Sequence, residues 1–190
     1  FSEMTRQSMY RSDGRIMYRM GQLIEEIQME LTQFKSILSN RYDESTEFQL
    51  LEALLLSNHN LSTYRSVYRT YLDVAPTLDL LFLNNQNPTS IVSQLEGLLK
   101  YARTLAQKNG GTSDNEISLL VFECYSAVRL MNIATLKETD GDTNHRKNLD
   151  EFCEMLQKNM AIISTKLSAA YFSHSTYQTQ GSKDGFQFEV

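Results

Sequence analysis

Between Asp13 and Leu38 the apolar residues Ile16, Met20, Leu23, Ile27, Leu31, Phe34 and Leu38 recur every three or four positions, with no proline in the run. That period matches the 3.6-residue turn of an α-helix, so these side chains share one face and need a second apolar surface to cover them. Glu25, Glu26, Glu30 and Lys35 fall elsewhere around the same helix. The pattern repeats almost throughout the chain, and only two prolines and eight glycines punctuate its 190 residues. Such a sequence predicts an all-α fold, an antiparallel helical bundle of about six helices, because short connections favour antiparallel neighbours.

A polar break over residues 40–45 leads to a helix through Phe48, Leu51, Leu55 and Leu56, closed by the turn formers Ser57-Asn58-His59-Asn60. The next helix carries the run TYRSVYRT. Pro76 then opens a short apolar helix to about Leu83, since its fixed φ suits a first turn. Asn87-Pro88 reads as a cap and first helical position for a helix through Ile91, Leu95, Leu98, Leu99, Ala102 and Leu105, stopped by Asn109-Gly110-Gly111. Two more helices are expected over about 114–136 and 144–171, separated by Thr139-Asp140-Gly141-Asp142. Residues 1–172 thus form one helical domain. The shift to Ser, Thr, Gln and Gly after Phe172 reads as a flexible polar tail over 173–190.

The sequence is 41% hydrophobic and 22% charged, ordinary for one globular domain, and its formal net charge of −5 argues against a nucleic-acid binder, which would carry a basic face. No apolar run approaches the roughly 20 residues of a membrane span. With no signal-peptide pattern, a cytoplasmic location is expected. Cys124 and Cys153 sit in apolar helical patterns without C-x-x-C spacing, as buried thiols in a reducing compartment do. His59, His145 and His174 belong to no H-x-x-x-H or E-x-x-H pair, and no P-loop, G-x-S-x-G or dinucleotide turn occurs, so neither a metal nor a cofactor is expected. The chain begins at Phe1, which suggests a piece of a longer protein.

Several motifs carry a resemblance. Residues 9–25, MYRSDGRIMYRMGQLIE, resemble the mid-sequence motif of the bacterial alpha-E domain family, where an Arg-Asp-x-Gly-like stretch precedes a helix bearing Gly-Arg-x-x-Glu-Arg. Tyr64-Arg65 and Tyr68-Arg69, the apolar stretch 78–83 and Asn87-Pro88 fall where the family has Tyr-Arg-x-x-Tyr and Asn-Pro-Arg-Ser, and Tyr171-Phe172-Ser173-His174 is similar to its closing Tyr-Phe-Ser-His. The match corresponds to the later part of the domain; the N-terminal portion, with a first Gly-Arg-x-x-Glu-Arg, is absent. Gly21 and Glu25 keep the motif's Gly and Glu, whereas Gln22, Glu26 and Thr89 replace arginines. The resemblance implies an all-helical protein encoded with, or fused to, ATP-grasp-type peptide ligases and transglutaminase-like peptidases, and hence a role in peptide synthesis or modification.

Three functional expectations follow. The first is a non-catalytic accessory or interaction module of such a system, with the ligase or peptidase as partner. The second is an enzyme acting on peptides or amino acids, with Glu25 as acid/base and Arg65 and Arg69 as an anion clamp. Arg65 and Arg69 are four apart on one helix face, as are Tyr64 and Tyr68, and Arg11 supplies a further positive charge. The alternative for these residues is packing of tyrosines under snorkelling arginines. The third is self-association into a homo-oligomer through uncovered helix faces. Glu123 and Arg129, inside the apolar run LLVFECYSAVRLM, are expected to form an inter-helix structural ion pair, because an isolated buried charge is costly.

Overall fold

The computed structural model describes residues 13–109 and 112–180. Four long helices form its frame: α1 (Asp13–Leu38), α5 (Ile91–Asn109), α6 (Thr112–Arg129) and α8 (Lys147–Gln180). They pack in a closed ring, α1 against α5, α5 against α6, α6 against α8 and α8 against α1. Paired residues set the directions. Lys35 meets Asp150 and Thr32 meets Gln157 across α1 and α8, while Glu116 meets Lys166 across α6 and α8. From Lys35–Asp150 to Thr32–Gln157, and from Glu116–Lys166 to Cys124–Asn159, the number rises on one helix as it falls on the other, so these neighbours are antiparallel, as predicted.

Residues 39–90 insert a helical cap between α1 and α5. It comprises α2 (Glu44–Ser57), α3 (Leu61–Tyr68), α4 (Val74–Leu78) and a π-helical turn over Asp79–Leu83. A short α7 (Ile133–Lys137) packs on α4 and α8. There are thus eight α-helices among the described residues; only α7 lacks a counterpart among the segments read from the sequence, because the apolar pattern does not separate a short helix from the one that precedes it. The predicted 114–136 helix breaks after Arg129 because the side chain of Asn132 accepts hydrogen bonds from the N–H groups of Ala134 and Thr135 and starts α7 afresh.

The core follows the predicted stripe from Ile27 onward, but nearer the start of the helix Met17 and Ile24 are buried where Ile16 and Leu23 were expected, and those two are only partly buried. Met20, Ile24, Ile27, Leu31, Phe34 and Leu38 of α1 are buried against Leu95, Leu98, Ala102, Val121, Cys124, Leu156 and Met160. Phe82 of the π-turn inserts at the cap end, with its ring 5.4 Å from Phe34 and 6.3 Å from Phe152. The π-turn aims Leu80, Leu81 and Phe82 into the core together, a registry that an uninterrupted 3.6-residue helix does not provide. Pro76 lies in the first turn of α4, where its missing N–H leaves nothing unpaired.

Two helix starts differ from expectation. Helix α5 begins at Ile91, and Ser90 sits in the capping position, its Oγ accepting from the N–H of Ser93. Asn87 instead closes the preceding turn: its Oδ1 accepts from the N–H and hydroxyl of Thr89 while its Nδ2 donates to the Leu80 carbonyl. Helix α8 begins at Lys147, preceded by Asn144 at φ 53°, and its backbone stays helical to Gln180, beyond the compositional change at Phe172. Residues 181–190, the end of the predicted tail, lie outside the described residues.

Candidate functional site

The Tyr/Arg segment forms α3 and the turn after it. Tyr64 is fully buried; its hydroxyl donates to the Tyr71 carbonyl at 2.8 Å and accepts from the Asp73 N–H at 3.1 Å. One side chain thereby ties α3 to the start of α4. Burial holds the phenol's pKa above its usual range. Tyr68 stacks on Tyr64 at 5.1 Å between ring centroids and donates a short hydrogen bond to Asp79, the first residue of the π-turn. Its own pKa is raised, first by burial and then by this carboxylate, so it stays a donor at neutral pH.

The arginines do not form a clamp. Arg65 is exposed and pairs with Glu52 of α2 at 3.1 Å. Arg69 is exposed and ends α3 in the left-handed conformation, φ 50°. The two therefore play different parts: one bridges two surface helices, the other terminates a helix. Glu25 is exposed on the outward face of α1 and makes no hydrogen bond or ion pair among the described residues, so the structure does not join it to either arginine. The reason lies in the helical wheel, since Glu25 sits opposite the Met20/Ile24/Ile27/Leu31 stripe rather than on its flank. Arg11 lies outside the described residues.

The expected inter-helix ion pair is not formed: neither Glu123 nor Arg129 pairs with an opposite charge among the described residues. Both side chains are exposed on the outer face of α6, and they need no partner because water solvates them. The apolar run that surrounds them is misleading: Val121, Cys124 and Val128 are buried in the core and Leu120, Tyr125 and Met131 pack at its edge, whereas Leu119 and Phe122 are exposed on the side of the charges. Arg103 of α5 covers the Phe122 ring at 5.9 Å.

The tightest polar centres were not singled out by their pattern. Arg146, 4% exposed, donates to the carbonyls of Leu38 and Asn40 at 2.9 and 2.8 Å and pairs with Glu47. It joins the end of α1 to the starts of α2 and α8, where backbone acceptors and the negative end of the α1 dipole favour a cation. The signal in the sequence was only a basic residue beside a helix start. The second centre links α1 to α5. Gln94 Nε2 donates to Glu30 Oε2 at 2.6 Å and to the Thr89 carbonyl at 2.9 Å, while Asn60 Nδ2 donates to Thr89 Oγ1. Burial raises the Glu30 carboxyl to about 7, opposed by the Gln94 hydrogen bond and increased by the charge of Glu26. A glutamine inside the apolar start IVSQLEGLL was the one visible hint. Thr89 occupies the position where the resembled motif has arginine.

On the outward face of α1 lies an open groove of about 420 Å³, lined by Gln28, Met29, Thr32, Gln33 and Ser36. Glu25 is one turn away on the same face, and the side chains of Arg19, Gln22 and Tyr18 form a hydrogen-bonded ladder beyond it. Among the described residues no cluster of three or more His, Cys, Asp or Glu could hold a metal ion, and no helix is long and apolar enough to cross a membrane.

No curated protein and no solved structure is significantly similar to the chain. Residues 1–172 match the model of the Alpha-E family, described as a predicted alpha-helical domain with a conserved ER motif, and the chain belongs to that family.

Proposed function

We propose that this protein is a bacterial, cytoplasmic accessory module of a peptide synthesis or modification system, acting by docking to an ATP-grasp-type ligase or a transglutaminase-like peptidase. The observation that carries the reading is the use of the motif residues. Tyr64, Tyr68 and Arg65 are engaged in contacts that build the cap, while the α1 segment around Gln22, Glu25 and Glu26 faces outward along the Gln28–Ser36 groove. A surface offered to a macromolecule accounts for outward motif residues better than a buried reaction centre does. Exposed apolar side chains on the long helices, among them Met29 at 74% and Leu119 at 62%, supply contact area of the kind found in interfaces.

Affinity purification from the native organism followed by mass spectrometry tests this reading directly. A ligase or peptidase is expected among the recovered proteins, and reversing charge at Glu25 and Glu26 together should remove it. Recovery of neither enzyme, combined with no change in the rate of the purified ligase on adding this protein, refutes the proposal.

A further inference from the structure

Helix α6 carries large apolar side chains on two opposite sides. Ile117, Val121, Cys124 and Val128 are buried in the core, while Leu119, Phe122 and Leu130 stand exposed, Leu119 at 62% and Leu130 at 83%. At about 100° of turn per residue, Leu119, Ser126 and Leu130 fall on one line down the outside of the helix. Leu130 keeps that register although α6 ends at Arg129, because its N–H donates to the Ser126 carbonyl. A surface helix needs only one apolar stripe to join its own bundle, so the second line is surplus to it.

The charges that border this line are sorted by sign. On the α5 side lie Arg129 and Arg103, the latter over the Phe122 ring; Lys100 and Glu96 follow along α5 and offset each other. On the α8 side lie Glu116 and, two turns on, Glu123, beside the exposed Ile162. The lysines bordering that side, Lys158 and Lys166, are bound to Glu154 and Glu116, so Glu123 is the charge left over. Glu123 follows Phe122 in the chain and Arg103 covers Phe122. The two charges therefore stand at one height on opposite flanks.

We infer that this face is an interface between two copies of the chain, packed α6 to α6 in parallel about a two-fold axis that runs along the helices. Such an axis exchanges the flanks, bringing Arg103 of each copy to Glu123 of the other. An axis across the helices instead sets each flank against its own kind, arginine against arginine, which charge complementarity disfavours. The parallel register also places Leu119, Ser126 and Leu130 each against its own counterpart, as a symmetric interface requires, and the small Ser126 lets the helices approach at the middle of the line. Helix α6 stands across the ring from α1, so a second copy leaves the Gln28–Ser36 groove open and the inference does not depend on the proposed docking partner.

Sedimentation velocity on the full chain over a rising concentration series should show a reversible change from one chain mass to two, weakened by salt because the charge pairs are exposed. Leu119→Glu, at an exposed position, should raise the dimer dissociation constant more than about tenfold while the circular dichroism spectrum stays unchanged. Arg103→Glu and Glu123→Arg should each raise it about tenfold, since two symmetry-related attractions become repulsions. The double variant restores opposite charges across the axis and should return to near the wild-type value. Leu119→Cys and Ser126→Cys should each cross-link two chains on mild oxidation, because in a parallel pair every residue of the line meets itself; the native Cys124 and Cys153 are buried. A single-chain mass at every concentration overturns the inference and leaves the face to a different protein. A dimer indifferent to Leu119→Glu overturns it as well, by placing the contact elsewhere. No recovery in the double variant, or cross-linking at only one of the two positions, overturns the parallel arrangement.

Discussion

Glu30 makes the stability of this protein depend on pH in a direction opposite to that of most carboxylates. Its pKa in the fold is about 7 against an ordinary 4.5, with burial as the main cause. The folded state therefore holds the proton more tightly than the unfolded chain, and ionisation opposes folding. Below pH 4.5 the group is protonated in both states and has no effect. Between pH 4.5 and 7 stability should fall as pH rises, and above 7 the loss is complete. At 1.36 kcal/mol per pKa unit the shift corresponds to about 3 kcal/mol at most, and the partial exposure of Glu30 to solvent reduces that to roughly 1–2 kcal/mol. The substitution Glu30→Gln removes the charge while keeping an oxygen to accept the Gln94 amide. Urea denaturation followed by circular dichroism at pH 4.5, 6 and 8, run on both proteins, measures the effect. The variant should match the wild type at pH 4.5 and exceed it by roughly 1–2 kcal/mol at pH 8. A difference that stays constant across that range shows that Glu30 does not titrate as the geometry requires.

Other perturbations probe the remaining polar centres. Arg146→Ala leaves Glu47 and two helix-end carbonyls without their donor and should cost about 3–5 kcal/mol in the same denaturation assay; a loss under 1 kcal/mol contradicts its role as the junction of α1, α2 and α8. Tyr68→Phe removes the hydroxyl that satisfies Asp79 and should destabilise by about 1–2 kcal/mol, with a near-neutral effect refuting the importance of that bond. Arg69→Gly relieves a side chain held at positive φ and should stabilise by up to about 1 kcal/mol; destabilisation instead indicates that the guanidinium has a structural partner. Burial pushes the Cys124 and Cys153 thiols up to about 11 and about 12, so a thiol reagent at pH 8 should modify neither in the native protein and both on unfolding. Stoichiometric labelling under native conditions contradicts that burial.

The helices were legible where their cause is local. The apolar stripe of α1 and the proline in the first turn of α4 each act through residues a few positions apart. Asn132 was a less visible signal, because a capping side chain interrupts an apolar run without changing its periodicity. The opposite error occurred at Asn87, whose Asn-Pro sequence resembles a helix cap but whose amide is held by the Leu80 carbonyl seven residues back. Glu123 and Arg129 show a further limit. A run of apolar letters around a charge does not bury it when helix α6 offers an outward face broad enough for Leu119, Phe122 and both charges.

The sequence by itself determined the helical class, the antiparallel order of the long helices and the family, since each rests on spacing within short segments or on motif identity. Tertiary structure alone decided which polar groups meet. Glu25, Glu26 and Glu30 are similar letters on one helix, yet only Glu30 reaches the amide of Gln94, 64 residues away. Whether a carboxylate is solvated or desolvated depends on what the neighbouring helix presents at that height. That Glu30 meets Gln94 between α1 and α5, and that Arg65 and Arg69 do not converge on Glu25, was decided by the packing of the helices, because burial and pairing are properties of packed surfaces rather than of local spacing.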